Sequence, residues 1–147
     1  MDRYQSRRHN RNLLMAHLIL VTKYRKPLLL GDFRKTILTA LYDTCRKNHW
    51  YIIRMETDRD HVHILLQYNP TDSVTHIVSI LKQLSTWKAW ECYAVYLCRH
   101  YWKEHTLWSD GYFAASIGQV SQSTIEHYIE NQGKVKPTLK GRGFNRI

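Results

Sequence analysis

The chain has 147 residues, of which 44% are hydrophobic and 12% aromatic, a size and composition that fit one folded domain and exclude a disordered chain. Lys and Arg number 22 against 12 Asp and Glu, and the resulting formal charge of +10 favours nucleic acid as a partner over a merely soluble basic surface. The three cysteines do not form a metal knuckle, and the apolar run at residues 13–21 is too short to span a bilayer, so we expect a reduced, cytoplasmic protein with no membrane segment.

The amino-terminal part is predicted to be a basic arm, residues 1–12, followed by a central strand, residues 13–24. The strand runs into a basic cluster with an aromatic residue inside it, and Pro27 ends it. The cluster lies at a strand end, where it can meet phosphates or simply be solvated. Its candidate DNA contacts are Lys23, Arg25 and Lys26.

A helix is predicted from about Phe33 to Asn48, with Asp32 as its cap, because apolar residues recur there at helical spacing. A second strand, Trp50 to Glu56, and a tight turn lead into a third strand that ends near Tyr68. The second and third strands therefore form a hairpin.

The third strand contains two histidines separated by one valine. Because side chains alternate along a strand, His61 and His63 share one face with Leu65 and Gln67. The opposite face is a clean core face, made of Val62, Ile64 and Leu66. Two adjacent imidazoles can chelate one cation, although a structural role for the pair is the alternative.

The second helix is predicted to start at a cap provided by Thr71 or Asp72 and to bury a stripe from Val74 to Leu84. It continues, or breaks into a second helical piece, over residues 87–99. Lys82 and Ser85 on this helix are candidate DNA contacts, with an ordinary exposed helix face as the alternative.

The remaining chain is predicted to form a fourth strand, a last helix and a basic tail. The strand lies within residues 107–117 and is closed by Gly118, and the helix begins near residues 121–123 and ends at Gly133. The tail is residues 134–147. We therefore expect one domain over residues 1–147, with its core at 13–133.

The element order predicts an α+β fold, a ferredoxin-like (RRM-like) βαββαβ antiparallel sheet with an additional C-terminal helix. Strands one and three are central in this topology. The histidine face would then lie in the middle of the sheet, on the side not covered by the first two helices. The last helix is available to cover that side.

The last helix carries Tyr128 and Gln132 on one face, four residues apart. The helix can simply pack an aromatic residue against the sheet. Alternatively, the amide oxygen of Gln132 can join the two imidazoles around Mg²⁺ or Mn²⁺, together with a phosphate. Attack of Tyr128 on DNA would give a phosphotyrosine ester that keeps the energy of the broken bond, which favours a strand transferase over a hydrolase.

These motifs resemble a known family. His61-Val62-His63 is similar to the histidine-hydrophobic-histidine motif of HUH endonucleases, and the five residues from Tyr128 to Gln132 match the Tyr-x-x-x-Gln motif of their single-tyrosine branch. The chain resembles the TnpA-type transposases of the smallest bacterial and archaeal insertion sequences from about residue 13 to residue 132. Further similar segments are residues 17–25, 58–66, 82–86 and 107–113.

The resemblance implies a DNA transposase that binds hairpins in single-stranded DNA at the ends of its element. It implies cleavage and rejoining through a 5′-phosphotyrosine, with Tyr128 as the nucleophile and His61, His63 and Gln132 as ligands of Mg²⁺ or Mn²⁺. It also implies a homodimer in which the tyrosine helix of one subunit completes the histidine site of the other, with Gly118 as a candidate hinge.

One position departs from the family's pattern, since Gln83 follows Lys82 where the family often has glycine. The alternatives are a hairpin-binding regulator that does not cut, a nuclease associated with repetitive extragenic palindromes, a replication-initiator or relaxase-like nicking enzyme, and a plain ferredoxin-like RNA binder. The last leaves the paired motifs unexplained.

Overall fold

The protein forms a four-stranded sheet with two helices. The computed structural model describes residues 14–119, with side chains as far as residue 115. A short 3₁₀ turn, Lys23–Arg25, follows the first strand. The elements are β1 (Leu14–Val21), α1 (Gly31–Lys47), β2 (Tyr51–Thr57), β3 (His61–Tyr68), α2 (Val74–Tyr101) and β4 (Phe113–Gln119).

The strand order is β2-β3-β1-β4, and every neighbouring pair is antiparallel. This is the ferredoxin-like order that the sequence predicts, with β1 and β3 as the two inner strands. The register places His61 opposite Val21, His63 opposite Ile19 and Leu65 opposite His17. Cross-strand partners share a face of the sheet, so the predicted histidine face is confirmed and extends across β1.

The opposite face carries the hydrophobic core. Val62, Ile64 and Leu66 are fully buried, as the alternation predicts. The apolar stripe of α1 meets them with Ile37 and Leu38, also fully buried. Burial of each such side chain contributes about 1.5–3 kcal/mol. This face therefore fixes the position of β3.

The helix starts differ from the sequence prediction. Helix α1 begins at Gly31, which has a φ of 53°, and its N-cap Leu30 provides no side-chain cap. Asp32 therefore lies in the first turn, where its charge complements the helix dipole. Helix α2 begins after Ser73, whose hydroxyl accepts a hydrogen bond from the His76 amide at 3.1 Å, so the predicted cap at Thr71 or Asp72 is wrong.

Helix α2 extends to Tyr101, but its backbone leaves helical geometry at Tyr93 (φ −133°, ψ 37°), a kink within the range where the sequence left a continuous helix and a second helical piece both open. The Tyr93 hydroxyl lies 3.3 Å from Oγ1 of Thr36 in α1, and Tyr96 donates a hydrogen bond to the Leu28 carbonyl at 2.8 Å. The predicted buried stripe is wrong at Leu84, which is 44% exposed. The second half of α2 is thus tied to α1 and the chain before it.

The structure leaves three predicted segments outside residues 14–119: the basic arm, the helix with Tyr128 and Gln132, and the basic tail. Their predictions remain predictions. At the end of the described chain, β4 continues past Gly118 to Gln119, and a register shift against β1 lies beside Gly118. Between residues 14 and 119, no helix is both long enough and apolar enough to cross a membrane.

Candidate histidine site and nucleic-acid surface

The two motif histidines lie side by side at the start of β3. Their ring centroids are 5.2 Å apart with an angle of 56° between the planes, and both side chains are half-buried. Helices α1 and α2 pack on the other face of the sheet. The imidazole pair therefore lies on the side that the described helices leave open, as the sequence predicts.

Asp60 orients the ring of His61. Its Oδ1 lies 2.8 Å from Nδ1 of His61, and its Oδ2 lies 3.3 Å from Nε of Arg25. Burial opposes ionisation of Asp60, but the hydrogen bond with His61 and the charge of Arg25 outweigh it and lower the pKa of Asp60. Because an ionised carboxylate only accepts hydrogen bonds, the geometry assigns the proton of His61 to Nδ1 and leaves Nε2 with the lone pair that binds metals.

His17 contacts the second motif histidine at the same ring nitrogen, Nδ1. Its Nε2 lies 3.1 Å from Nδ1 of His63, and the ring centroids are 5.1 Å apart. His17 is the diagonal neighbour of His63, since Ile19 lies directly opposite. His17 has no predicted role in the site, and the register between β1 and β3 is what places it on the histidine face.

A buried ion pair lies on β2, the strand next to β3, on the same face of the sheet as the histidines. Glu56 in β2 is opposite His63, and its Oε2 lies 2.6 Å from Nε of Arg54. Their side chains are only 7% and 14% exposed. Removing one partner of such a pair leaves a buried charge, which typically costs about 3–5 kcal/mol. The pair therefore places a carboxylate and its guanidinium partner together on the strand next to His63.

The described part of the site supplies an incomplete set of metal ligands. Within residues 14–119, no group of three or more His, Cys, Asp or Glu side chains could hold a metal ion. Two imidazoles with oriented rings fit half of a mixed nitrogen and oxygen site, which needs further oxygen donors. The predicted third ligand, Gln132, and the predicted nucleophile, Tyr128, lie outside the described residues.

The basic turn after β1 lies beside this pair. The Thr22 amide donates to the Asp60 carbonyl at 2.9 Å, and Arg25 contacts the Asp60 carboxylate. Both Tyr24 and Arg25 have positive φ angles, 61° and 52°, a backbone conformation that costs energy in residues other than glycine. Of the predicted DNA contacts in this turn, Arg25 is thus placed next to the histidines, while the ammonium group of Lys23 pairs with the Asp110 carboxylate at 3.5 Å. Whether they touch DNA stays a prediction.

The two predicted DNA contacts on α2 also have internal partners. The ammonium group of Lys82 donates to the carbonyls of Ser109, Gly111 and Asp110, at 2.7, 3.0 and 3.2 Å. Burial lowers the pKa of Lys82, while the nearby charge of Asp110 raises it. The three N–H groups of the ammonium match the three carbonyl oxygens, so Lys82 holds the loop before β4 in place.

Ser85 is fully buried, which corrects its assignment as a DNA contact. Its hydroxyl donates to the Leu81 carbonyl at 2.6 Å and accepts a hydrogen bond from Nε1 of Trp108 at 2.9 Å. A buried hydroxyl with both roles filled is out of reach of a phosphate. It supports the same loop as Lys82.

Comparison with known proteins identifies similar sequences over most of the chain. The profile of the family described as "Transposase IS200 like" matches residues 10–132. The ISDra2 transposase TnpA of Deinococcus radiodurans is 31% identical over 119 residues, which cover 81% of this chain and 84% of the relative. The transposase for insertion sequence element IS200 of Salmonella typhimurium is 26% identical over 124 residues, covering 84% of this chain and 80% of the relative.

Two solved structures are similar in fold. A crystal structure of a Deinococcus radiodurans protein assigned as a transposase has a TM-score of 0.65 and 28% identity, and the match covers 82% of this chain and 91% of that one. The REP-associated tyrosine transposase bound to a REP hairpin has a TM-score of 0.57 and 12% identity, with 85% and 67% covered. At 12% identity, the second match shows the fold alone.

Proposed function

The chain belongs to the IS200-like transposase family, as its motifs led us to expect, and we propose that it cleaves and rejoins single-stranded DNA at hairpins through a phosphotyrosine intermediate. The observation that carries the proposal is the orientation of the two motif histidines. His61 and His63 lie together on the open face of the sheet, and each Nδ1 contacts a partner within the chain. Such an arrangement prepares Nε2 atoms for a cation.

The residues proposed to hold Mg²⁺ or Mn²⁺ are His61, His63 and Gln132. The bound ion would polarise the phosphodiester and stabilise the charge that develops on its oxygens. Asp60 and His17 hold the two rings in their orientation, so the rings need not rearrange when DNA binds. Arg25 holds Asp60 in its charged form.

Tyr128 is proposed to be the nucleophile. Its hydroxyl loses a proton and its oxygen attacks the scissile phosphorus, while the bond to the 3′ oxygen breaks and that oxygen leaves as a 3′-hydroxyl after gaining a proton. The 5′ end remains esterified to Tyr128. Attack by another 3′-hydroxyl reverses the step and joins the strands without ATP, because the ester keeps the energy of the original bond.

The basic surface supports DNA as the substrate. The formal charge of +10 and the turn at Lys23–Arg25 beside His61 would attract the phosphate backbone. The structurally similar REP-associated transposase is bound to a hairpin, which supports a hairpin here. We further propose a homodimer in which the tyrosine helix of each subunit completes the histidine site of the other.

The decisive experiment is a covalent-adduct assay. The protein is mixed with labelled single-stranded DNA from the regions flanking its gene, with Mg²⁺ or Mn²⁺, and the adduct is resolved on a denaturing gel. We expect an adduct with the wild type and none with Tyr128→Phe. His61→Ala and His63→Ala should abolish the adduct while hairpin binding persists. An adduct formed by Tyr128→Phe would refute the assignment, and binding without any wild-type adduct would indicate a regulator that does not cut.

A further inference from the structure

A cavity lies between the start of α1 and the turn that joins β2 to β3, and its lining includes neither motif histidine. Its volume is about 570 Å³, within the range of pockets that hold small ligands. Residues of the segment 27–31 and Arg34 form one wall, and residues 58–60 form the other. The Leu29 amide donates to the Arg59 carbonyl at 2.9 Å. The two walls are therefore held together by a hydrogen bond of the backbone.

Two arginines that line this cavity have no partner for their guanidinium groups. Within residues 14–119, the side chains of Arg34 and Arg59 make no ion pair and no hydrogen bond. Arg34 is half-buried, and its Nε atom is fully buried without an acceptor. Taking a charged group out of water without an acceptor costs free energy. The position of Arg34 therefore indicates that an anion from outside the described residues pairs with its guanidinium group.

The two carboxylates that line the cavity already have partners. Oδ1 of Asp60 contacts His61 at 2.8 Å, and its Oδ2 contacts Arg25 at 3.3 Å. Oδ1 of Asp58 accepts a hydrogen bond from the Arg59 amide at 2.8 Å. Because Arg25 neutralises Asp60, the two guanidinium groups of the cavity face only one further carboxylate. The net charge of the wall is positive and favours an anion.

The start of α1 adds hydrogen-bond donors to the same cavity. Its N-cap, Leu30, provides no side-chain cap, and Gly31 lines the cavity with a φ of 53°. The first amides of a helix have no acceptor within the helix, and their partial positive charge attracts phosphate. A Cβ atom built at Gly31 would meet no atom within 4 Å. The backbone at this position is therefore open to an approaching anion. Asp32 lies in the same turn, but it is exposed and does not line the cavity.

We propose that this cavity binds a phosphate group, held by the guanidinium groups of Arg34 and Arg59 and by the first amides of α1. Arginine forks and helix starts both recognise phosphate oxygens. The inference goes beyond the proposed cleavage, since it needs neither the metal nor Tyr128. It assigns the chain an anion site outside the histidine face. Free inorganic phosphate and a phosphate of a DNA strand are two sources of the same chemical group.

The test titrates inorganic phosphate into the full chain. Sodium phosphate is added to the metal-free protein at pH 7.5, with sodium chloride adjusted to keep the ionic strength constant, and the heat of binding is measured by titration calorimetry. We expect one saturable binding event. ¹H–¹⁵N spectra recorded in parallel should show the largest shifts at the amides of Gly31 and Asp32 and at Nε–H of Arg34.

Substitutions locate the site. Arg34→Gln and Arg59→Gln remove a charge, and each should weaken phosphate binding about tenfold, since each removes charge-assisted hydrogen bonds. Arg59 is exposed, so Arg59→Gln tests the site even if Arg34→Gln fails to fold. Arg46→Gln is the matched control, because it removes an exposed charge from the other end of α1, and it should leave the affinity unchanged. His63→Ala should also bind phosphate as the wild type does.

A competition experiment identifies the source of the phosphate. Binding of fluorescein-labelled oligo-dT of 12 nucleotides is measured in saturating phosphate and in sodium chloride of equal ionic strength. If a DNA strand supplies the group, phosphate should weaken binding of the oligonucleotide by the wild type but not by Arg59→Gln. If the free ion is the ligand, the wild type should bind the oligonucleotide equally in the two buffers.

Three results would overturn the phosphate site. They are the absence of saturable phosphate binding, equal losses in Arg46→Gln and Arg59→Gln, and a loss in His63→Ala that places the ion at the histidines. These results are separable from the adduct assay. A chain that forms the adduct but binds no phosphate at α1 would refute only this inference, and a chain that binds phosphate there but forms no adduct would refute only the proposed cleavage.

Discussion

Nε2 of His17 lies 3.1 Å from Nδ1 of His63, a contact that joins the two inner strands on the histidine face. Asp60 makes the equivalent contact with His61 at 2.8 Å. Both motif histidines are thus held at the same ring nitrogen, one by an imidazole and one by a carboxylate. Partners of this kind orient metal-binding histidines and raise their basicity.

The first prediction concerns His17. His17→Ala should weaken binding of Mn²⁺ by about 10- to 100-fold, the usual effect of removing a partner of a ligating histidine. Titration calorimetry with Mn²⁺ measures the change, and His17→Gln, which keeps a hydrogen-bonding group, should recover part of it. His76→Ala is the matched control. If His17→Ala bound Mn²⁺ as the wild type does, His17 would only fill space on the sheet.

The second prediction concerns the position of the His61 proton. In the wild type, long-range ¹H–¹⁵N NMR should find it on Nδ1, where Asp60 accepts it. In Asp60→Ala it should move to Nε2, the form that an imidazole prefers in water, and binding of Mn²⁺ should fall. A wild-type spectrum with the proton on Nε2 would contradict the assignment whatever the variant does.

The third prediction concerns the loop before β4. Lys82→Met removes the donor from three carbonyls, and we expect the free energy of unfolding to fall by about 1–3 kcal/mol because partly buried acceptors lose their partner. Urea denaturation followed by circular dichroism measures it. Lys35→Met, at an exposed position of α1, should stay within about 0.5 kcal/mol of the wild type. Equal effects of the two substitutions would show that the three contacts contribute nothing.

The fourth prediction concerns Cys45. Burial raises the pKa of its thiol from 9.0 to about 12, so above pH 9 the folded state retains a proton that the unfolded state loses. The free energy of unfolding should therefore decrease as the pH rises from 9 towards 12. Cys45→Ala, compared with the wild type by denaturation at pH 8 and pH 10.5, should reduce this decrease.

The same burial predicts how the cysteines react. Cys92 and Cys98 are exposed and Cys45 is buried, so a disulfide reagent at pH 8 should modify two thiols of the native protein quickly. The third should react only when the protein unfolds. Rapid reaction of all three under native conditions would mean that the core around Cys45 opens readily.

The topology was predictable because its signals are local. Alternation over residues 61–67 set the two faces of β3, and helical spacing of Ile37, Leu38 and Leu41 identified α1. The contact of His17 with His63 depends on the register between β1 and β3, which is fixed only by their hydrogen-bonded ladder. Single-residue spacing carries no information on that register.

The internal hydrogen bonds of Lys82 and Ser85 could not be predicted from the sequence for a different reason. A polar side chain on a helix looks solvent-facing until a distant loop folds over it, and here residues 108–111 do so from more than twenty positions away. The exposed Leu84 is the converse case, since its neighbours Ser85 and Ala89 are buried in its place. The spacing of residues predicts which side chains share a face of the helix. Which face of α2 is buried depends on where the loop before β4 packs.

The inner position of β3 and β1 in the sheet limits local opening of the strands that carry the proposed site. Each of these strands is hydrogen-bonded on both sides, by β2 and β1 or by β3 and β4. Edge strands can detach by local opening, but an inner strand is released only when most of the sheet unfolds. Amide hydrogens next to His17 and His63 should therefore be among the last in residues 14–119 to exchange with deuterated water. Any movement that brings a nucleophile to the histidines has to come from a part of the chain other than the strands that carry them.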